Sequence, residues 1–429
     1  VVSDSDADII ADAVTTLNVS GDGELTTTAV ATTFDLLETV VVTGAAGLVL
    51  TGTLATVLET IDASGTSGDI TASIDTGVAD AADITTAYKG GSGVDTVTLV
   101  TDTTVAAGID LGAGNDKLIL TASTTAITGT VAGGAGTDTI SMDTTSAENL
   151  DDEELNVTGF EKLELTAAAG GKSIDAATMG FNYVIVDGGV ADDGGTPNVV
   201  EEFELILDSG STLELDGDIG DAGTTADTLT LTINDAATGE ADVVNIVAQA
   251  ANGILVANDV ETINIEAAAG TSTLGLTADS VESLILTGEE FINLTDGTDE
   301  TDITAGTISN TGDSLTLIDA SAMTDGGLVA VADGGVAQTI LGGAGDDILL
   351  ASGSGDVLNG GAGDDVLVGA SLTQLTGGAG ADTFVINTPT NVNSYSTIMD
   401  LEAGDIIDLS NVTSTGLSFV SSAIELADT

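Results

Sequence analysis

The sequence predicts an all-β fold: a parallel β-helix or β-roll solenoid with coils of about 20 residues. Two repeat families and one compositional fact predict it. The first family reads apolar-Glu-x-apolar-x-apolar and recurs as LETVVV at Leu37, LETIDA at Leu58, FEKLEL at Phe160, VEEFEL at Val200, VETINI at Val260 and VESLIL at Val281. Successive offsets of 21, 102, 40, 60 and 21 residues are near multiples of one coil. The second family is a Gly-Gly-x-Gly-x-Asp-x-apolar-x nonapeptide. The compositional fact is that Thr, Val, Ile and Leu fill the alternating segments, as strands favour, while only Pro197 and Pro389 could interrupt pairing. A fixed period of this size means that each coil buries its apolar face on the next.

Taken in order, residues 1–85 read as N-terminal solenoid coils, with DSDADIIADAV near the start as a candidate short helix. Residues 86–145 form a first Gly-Asp array. Its turns are GGSGVDTVT (Gly90, Gly91, Gly93, Asp95), LGAGNDKLI (Gly112, Gly114, Asp116) and GGAGTDTIS (Gly133, Gly134, Gly136, Asp138). The aspartates are 21 and 22 residues apart, one Gly-Asp turn per coil. The opposite turns, around Thr101–Val105 and Thr121–Ile127, lack the motif. Residues 146–332 read as a middle solenoid that opens on a second helix candidate, Ser146–Leu155. Turns containing Asp227 and Asp313 look like worn copies of the motif.

Residues 333–388 carry the sharpest signal. GGAGDDILL-ASGSGDVLN-GGAGDDVLV supplies Gly342, Gly343, Gly345, Asp347, Asp356, Gly360, Gly361, Gly363 and Asp365, and GGAGADTFV adds Gly377, Gly378, Gly380 and Asp382. Two nonapeptides per coil of 18 place Asp347 over Asp365, and Asp365 over Asp382 at a step of 17. The opposite edge carries Gln338, Asp356 and Thr373, a poorer set of donors, so one ladder along a single edge is expected. Residues 389–429 read as a C-terminal cap around IMDLEAGDIIDLSNV, with a candidate secretion signal in the last residues.

Seventy acidic residues face four basic ones, Lys89, Lys117, Lys162 and Lys172, for a formal charge of −66. Nucleic-acid binding is excluded, because it needs Lys and Arg against phosphate. Disorder is excluded by 42% hydrophobic residues and a mean hydropathy of +0.36. Acid-rich surfaces also arise as salt adaptation, but aspartates at fixed places in Gly-rich turns point to sites. With no His, no Cys and no Arg, the chain cannot build a Ser-His-Asp triad, a thiolate site or a His-x-x-x-His zinc helix. A non-enzymatic role is expected. Aromatics are 2% of residues, which favours broad, repetitive contacts over a small-ligand pocket. No run of about 18 apolar residues exists, so membrane insertion by a helix is not expected.

The nonapeptides resemble those of the RTX (repeats-in-toxin) calcium-binding proteins, and the Thr-, Gly- and Asp-rich solenoid around them resembles RTX-type bacterial S-layer proteins. The resemblance implies several calcium ions held between Gly-Asp turns, by carboxylates and backbone carbonyls. It also implies secretion by a type I exporter, which suits a chain that starts at Val1 without a basic-then-apolar leader, and residence at the cell surface. Without metal, aspartates stacked at about 4.8 Å would repel by about 3–4 kcal/mol per pair at an effective dielectric of 20. The expected function is calcium-dependent folding and self-assembly into an extracellular lattice or filament. The expected partners are other copies of the chain and, through calcium, cell-surface polysaccharide. An RTX adhesin or biofilm-matrix protein, and the non-catalytic part of a secreted RTX enzyme, are the alternatives.

Overall fold

A computed structural model describes residues 5–6, 13–27, 36–51, 58–75, 85–100, 104–121, 124, 126–151, 156–166, 171–187, 202–217, 219, 228–234, 241–295, 314–332, 335–387 and 394–412. The chain forms two compact units, Val1–Asp187 and Gly188–Thr429. Both are parallel β-solenoids with coils of about 22 residues.

In the first unit one sheet stacks Ile70–Asp75, Asp95–Val100, Lys117–Thr121, Thr139–Asp143, Lys162–Thr166 and Tyr183–Asp187, each parallel to the last. The opposite sheet stacks Thr39–Gly44, Thr60–Thr66, Ala87–Lys89, Ile109–Asp110, Val131–Ala132 and Val157–Thr158. In the second unit one sheet ends in Thr339–Leu341, Val357–Ala362, Gln374–Ala379 and Thr397–Ile398. The facing sheet ends in Ile348–Leu350, Val366–Gly369, Thr383–Ile386 and Ile406–Asp408. Coils of the C-terminal array have the expected rise of 18 and then 17 residues, since Ile348 lies beside Val366 and Val366 beside Thr383.

Strand alternation sends every second side chain inward. Parallel register then stacks like on like. Leu118, Ile140, Leu163 and Val184 form one continuous column, each fully buried. Leu349, Leu367 and Phe384 form another in the second unit.

The two repeat families occupy one structural position, the corner where a strand begins. Asp138 O accepts the N–H of Glu161 and of Lys162, just as Glu261 O accepts those of Glu282 and Ser283. Gln338 O and Asp356 O hold the same corner bond further along. The Glu repeats fall on either sheet, however. LETVVV and LETIDA start paired strands of one sheet of the first unit, while FEKLEL starts a strand of the other.

Of the second helix candidate, Ser146–Leu150 lies in a helix, Thr144–Leu150, capped by Asp143, whose side chain accepts the Ser146 N–H at 2.6 Å, and residues 152–155 lie outside the described residues. Of the first candidate, Ser5–Asp6 pairs as strand with Leu25–Thr26, and residues 7–12 lie outside the described residues. The parallel neighbour supplies backbone partners that a one-turn helix could not. The segment read as a cap runs on as one more coil, through Thr397–Ile398 and Ile406–Asp408. Among the described residues, no helix is long and apolar enough to cross a membrane.

Leu367 sits between Leu349 and Phe384 with no exposed surface. Leu367→Ala is expected to cost about 2–5 kcal/mol, the usual loss for a buried leucine in a close-packed stack. Urea unfolding in saturating calcium measures it, and a loss well under 1 kcal/mol would mean that the column is not tightly packed.

Candidate metal centre

Each Gly-rich corner delivers an aspartate whose carboxylate turns back under the loop. One oxygen has the same task throughout: it accepts the backbone N–H of the corner residue one coil earlier. In the first unit Asp95 Oδ1 takes Ile70 N–H (3.2 Å), Asp116 Oδ1 takes Asp95 N–H (2.7 Å) and Asp138 Oδ1 takes Asp116 N–H (2.8 Å). In the second, Asp347 takes Leu328 N–H (2.6 Å), Asp365 takes Asp347 N–H (2.8 Å) and Asp382 takes Asp365 N–H (3.0 Å). The ladder thus joins coils along the solenoid.

The other oxygen divides the aspartates into two classes. Asp95 Oδ2 accepts the Tyr88 hydroxyl at 3.0 Å and Gly91 N–H at 3.4 Å, and Asp347 Oδ2 accepts Gly343 N–H at 2.9 Å. The Oδ2 atoms of Asp116, Asp138, Asp365 and Asp382 are buried with no partner. An ionised oxygen left so costs several kcal/mol. Burial accordingly pushes the carboxyls up, to about 6 for Asp95, Asp116 and Asp347 and about 7 for Asp365. Burial also raises Asp138 and Asp382. Neighbouring carboxylates of the same ladder push in the same direction at Asp95, Asp116 and Asp365. A cation at the orphaned oxygens would remove both penalties.

The glycines make the room. Gly90, Gly133, Gly342, Gly360 and Gly377 lie against the Oδ2 of their own aspartate, so a Cβ there would fill the space beside it. Gly112 and Gly134 stack on the carbonyls of Gly91 and Gly112, and Gly361 and Gly378 on those of Gly343 and Gly361. Gly91 and Gly343 begin these columns, over Thr66 O and Ala320 O. Gly114 and Gly136 stack likewise on Gly93 and Gly114, with Gly93 over Gly68 O. Gly363 and Gly380 stack on Gly345 and Gly363, with Gly345 over Asp325 O. Gly361, at φ +111°, combines a left-handed backbone with a carbonyl where its Cβ would be, so no other residue fits. Each coil therefore brings a carboxylate and two columns of carbonyl oxygen to one corner. Among the described residues no group of three or more His, Cys, Asp or Glu converges, so a metal here would complete its shell with backbone carbonyls or water. Such an all-oxygen set suits a hard cation.

The opposite edge differs. Asp356 is fully buried, but its Oδ1 accepts Gln338 N–H (3.0 Å) and its Oδ2 accepts Gly353 N–H (3.1 Å). Thr373 closes the next turn through Ala370 N–H at 3.1 Å. Backbone donors satisfy both oxygens of Asp356. Asp227 and Asp313 lie outside the described residues.

Sequence reasoning missed the ladder ends. Glu161 Oε2 takes Asp138 N–H (2.8 Å) and Asp405 Oδ1 takes Asp382 N–H (3.0 Å), while Asp400 binds the N–H groups of Gly377 and Gly378 at 2.9 Å each. The signal for Glu161 was its place in the Glu repeat, 23 residues after Asp138. An outer ladder was also missed: Asp346 Oδ1 takes Asp364 N–H (2.7 Å), and Asp364 Oδ1 takes Ala381 N–H (2.8 Å).

The carboxyl shifts set a pH dependence. Carboxyls held above their ordinary range bind more protons in the folded chain than in the unfolded one between pH about 4 and 7. Their contribution is complete below the unfolded value and is lost as pH rises through 6 to 7. In chelator, the melting temperature should therefore fall from pH 5 to pH 8. In millimolar calcium the fall should vanish or reverse, because the ion replaces the proton. Parallel melting curves with and without calcium would refute this account.

Residues 334–371 match the model of the RTX calcium-binding nonapeptide repeat, in four copies. The comparison with curated proteins found no match. The matched segment contains Asp347, Asp356 and Asp365 with their glycines, the part of the second unit in which the buried carboxylate ladder runs. Residues 334–371 are thus RTX calcium-binding nonapeptide repeats, and such repeats bind several calcium ions.

Proposed function

We propose that this is a structural extracellular protein, without catalytic activity, that folds on calcium and then self-assembles into a surface lattice or filament. RTX repeats in a β-solenoid fit a secreted protein. The observation that carries the reading is the set of buried, unpartnered oxygens at Asp116, Asp138, Asp365 and Asp382. These carboxylates, with the stacked glycine carbonyls, are the groups that would hold the ions. Bound there, calcium would supply the positive charge that the buried carboxylates lack. The protein's own groups align the coils: each corner N–H is fixed by the next aspartate, and the glycines leave space. Metal bound only by the folded state stabilises it by linkage, so a calcium-poor compartment favours the unfolded chain.

Charge supports the assembly step. All four lysines lie in the first unit. Lys117 pairs with Glu164 at 2.5 Å, Lys172 pairs with Glu148, and Lys162 lies 4.0 Å from the Tyr183 ring centroid. The second unit has no cationic side chain, so two copies meeting there would juxtapose carboxylates. Bridging cations, rather than salt bridges, would have to join them. The same chemistry would tether the chain to anionic cell-surface polysaccharide.

Electron microscopy of the protein in millimolar calcium and in excess chelator, with circular dichroism on the same samples, tests this. Ordered sheets or filaments and a gain of β signal are expected only with calcium. Calcium-induced folding to a monodisperse monomer would keep the metal chemistry and replace assembly with the adhesin reading.

A further inference from the structure

One residue breaks the regularity of the first ladder. The inward column of the second sheet in the first unit runs Ile61, Tyr88, Ile109, Val131, in register from coil to coil and all buried. Tyr88 carries its only hydroxyl, and it does so in the coil where the Gly-Asp turns begin. That hydroxyl crosses the core and donates to Asp95 Oδ2 at 3.0 Å. With Gly91 N–H on the same oxygen and Ile70 N–H on Oδ1, Asp95 accepts three hydrogen bonds. In the next two coils, where the column offers Ile109 and Val131, the corresponding oxygens of Asp116 and Asp138 are buried and unpartnered.

We infer that Tyr88 is the stop of the first calcium ladder: its hydroxyl satisfies the Asp95 oxygen that a cation would otherwise take, so the array binds ions at Asp116 and Asp138 and none at Asp95. The nonapeptide around Asp95 meets the glycine and aspartate pattern of an ion site. What removes it from the set is a side chain seven residues upstream, on the other sheet. Tyr88 acts as a specificity-determining residue, fixing where the metal column begins. Asp347, which begins the second array, is instead met by a backbone N–H, from Gly343.

The inference rests on the proposal that the first array holds calcium, and the experiment separates the two. Bound calcium per full-length chain is counted by equilibrium dialysis and atomic emission for wild type, D95N, D116N, D138N, Y88I and D95N/Y88I. D116N and D138N should each lower the count, which establishes the premise; no loss in either overturns premise and inference together. With the premise met, D95N should leave the count unchanged. Y88I, which copies the Ile109 coil, should raise it by one, and D95N/Y88I should restore the wild-type count. Loss of an ion in D95N, or no gain in Y88I, overturns the inference. Should Y88I not fold, the near-ultraviolet signal of Tyr88, taken as wild type minus Y88F, decides. In folded, calcium-saturated protein it should carry the red shift of a tyrosine hydroxyl that donates to a carboxylate; a band without that shift, reporting a broken hydroxyl bond, overturns the stop.

Discussion

A carboxylate buried in a turn has to be met by hydrogen-bond donors, a proton or a metal, and this solenoid meets at least half of each one internally. One oxygen of every ladder aspartate is committed to the backbone N–H of the neighbouring coil, from Ile70 through Asp138 and from Leu328 through Asp382. Those bonds fix the register of successive corners, and the register fixes the apolar columns beneath them. At Asp116, Asp138, Asp365 and Asp382 the remaining oxygen is left over by this arrangement. The geometry that joins coils without metal is therefore the geometry that creates the demand for it.

The glycines and the hydrophobic columns follow from the same constraint. A coil can place its carboxylate under the loop only if nothing projects from the loop's inner side, hence the glycines beside Asp365 and Asp382. It can repeat that placement only if the strands that follow rise evenly, hence Leu349, Leu367 and Phe384 at matched positions. Where the loop is not Gly-rich, as at Glu161, the longer side chain reaches the same N–H from a more exposed position. Aspartate and glutamate thus solve one connection problem, and only the aspartate solution buries a charge.

The architecture was legible in the sequence because a solenoid writes its period into the chain. Strand alternation, the offsets of the Glu repeats and the stacking of Asp347 on Asp365 on Asp382 all follow from spacing alone. Three things were not legible. The equivalence of Glu and Asp corners needs the backbone bonds at Asp138 and Glu261, which spacing does not reveal. The terminal rungs Asp400 and Asp405 bond groups 22 or 23 residues earlier, off the steps of 17 and 18 that run through the array. Tyr88 stands in a short strand whose neighbours give it no pattern, and its partner becomes visible only once the two sheets face each other. Local repetition is readable in one dimension, whereas contacts across the core are not.

The placement of the lysines has a consequence for survival outside a cell. Trypsin-like proteases select a cationic side chain at the bond they cut, and no lysine or arginine follows Lys172. The second unit offers such an enzyme no cleavable bond, folded or unfolded. The bonds it could cut are confined to the first unit, where Lys117 and Lys172 are held in ion pairs and Lys162 lies over an aromatic ring. Were the chain to pass through an unfolded, calcium-poor state, it would carry its longest stretch through that passage without a single trypsin site.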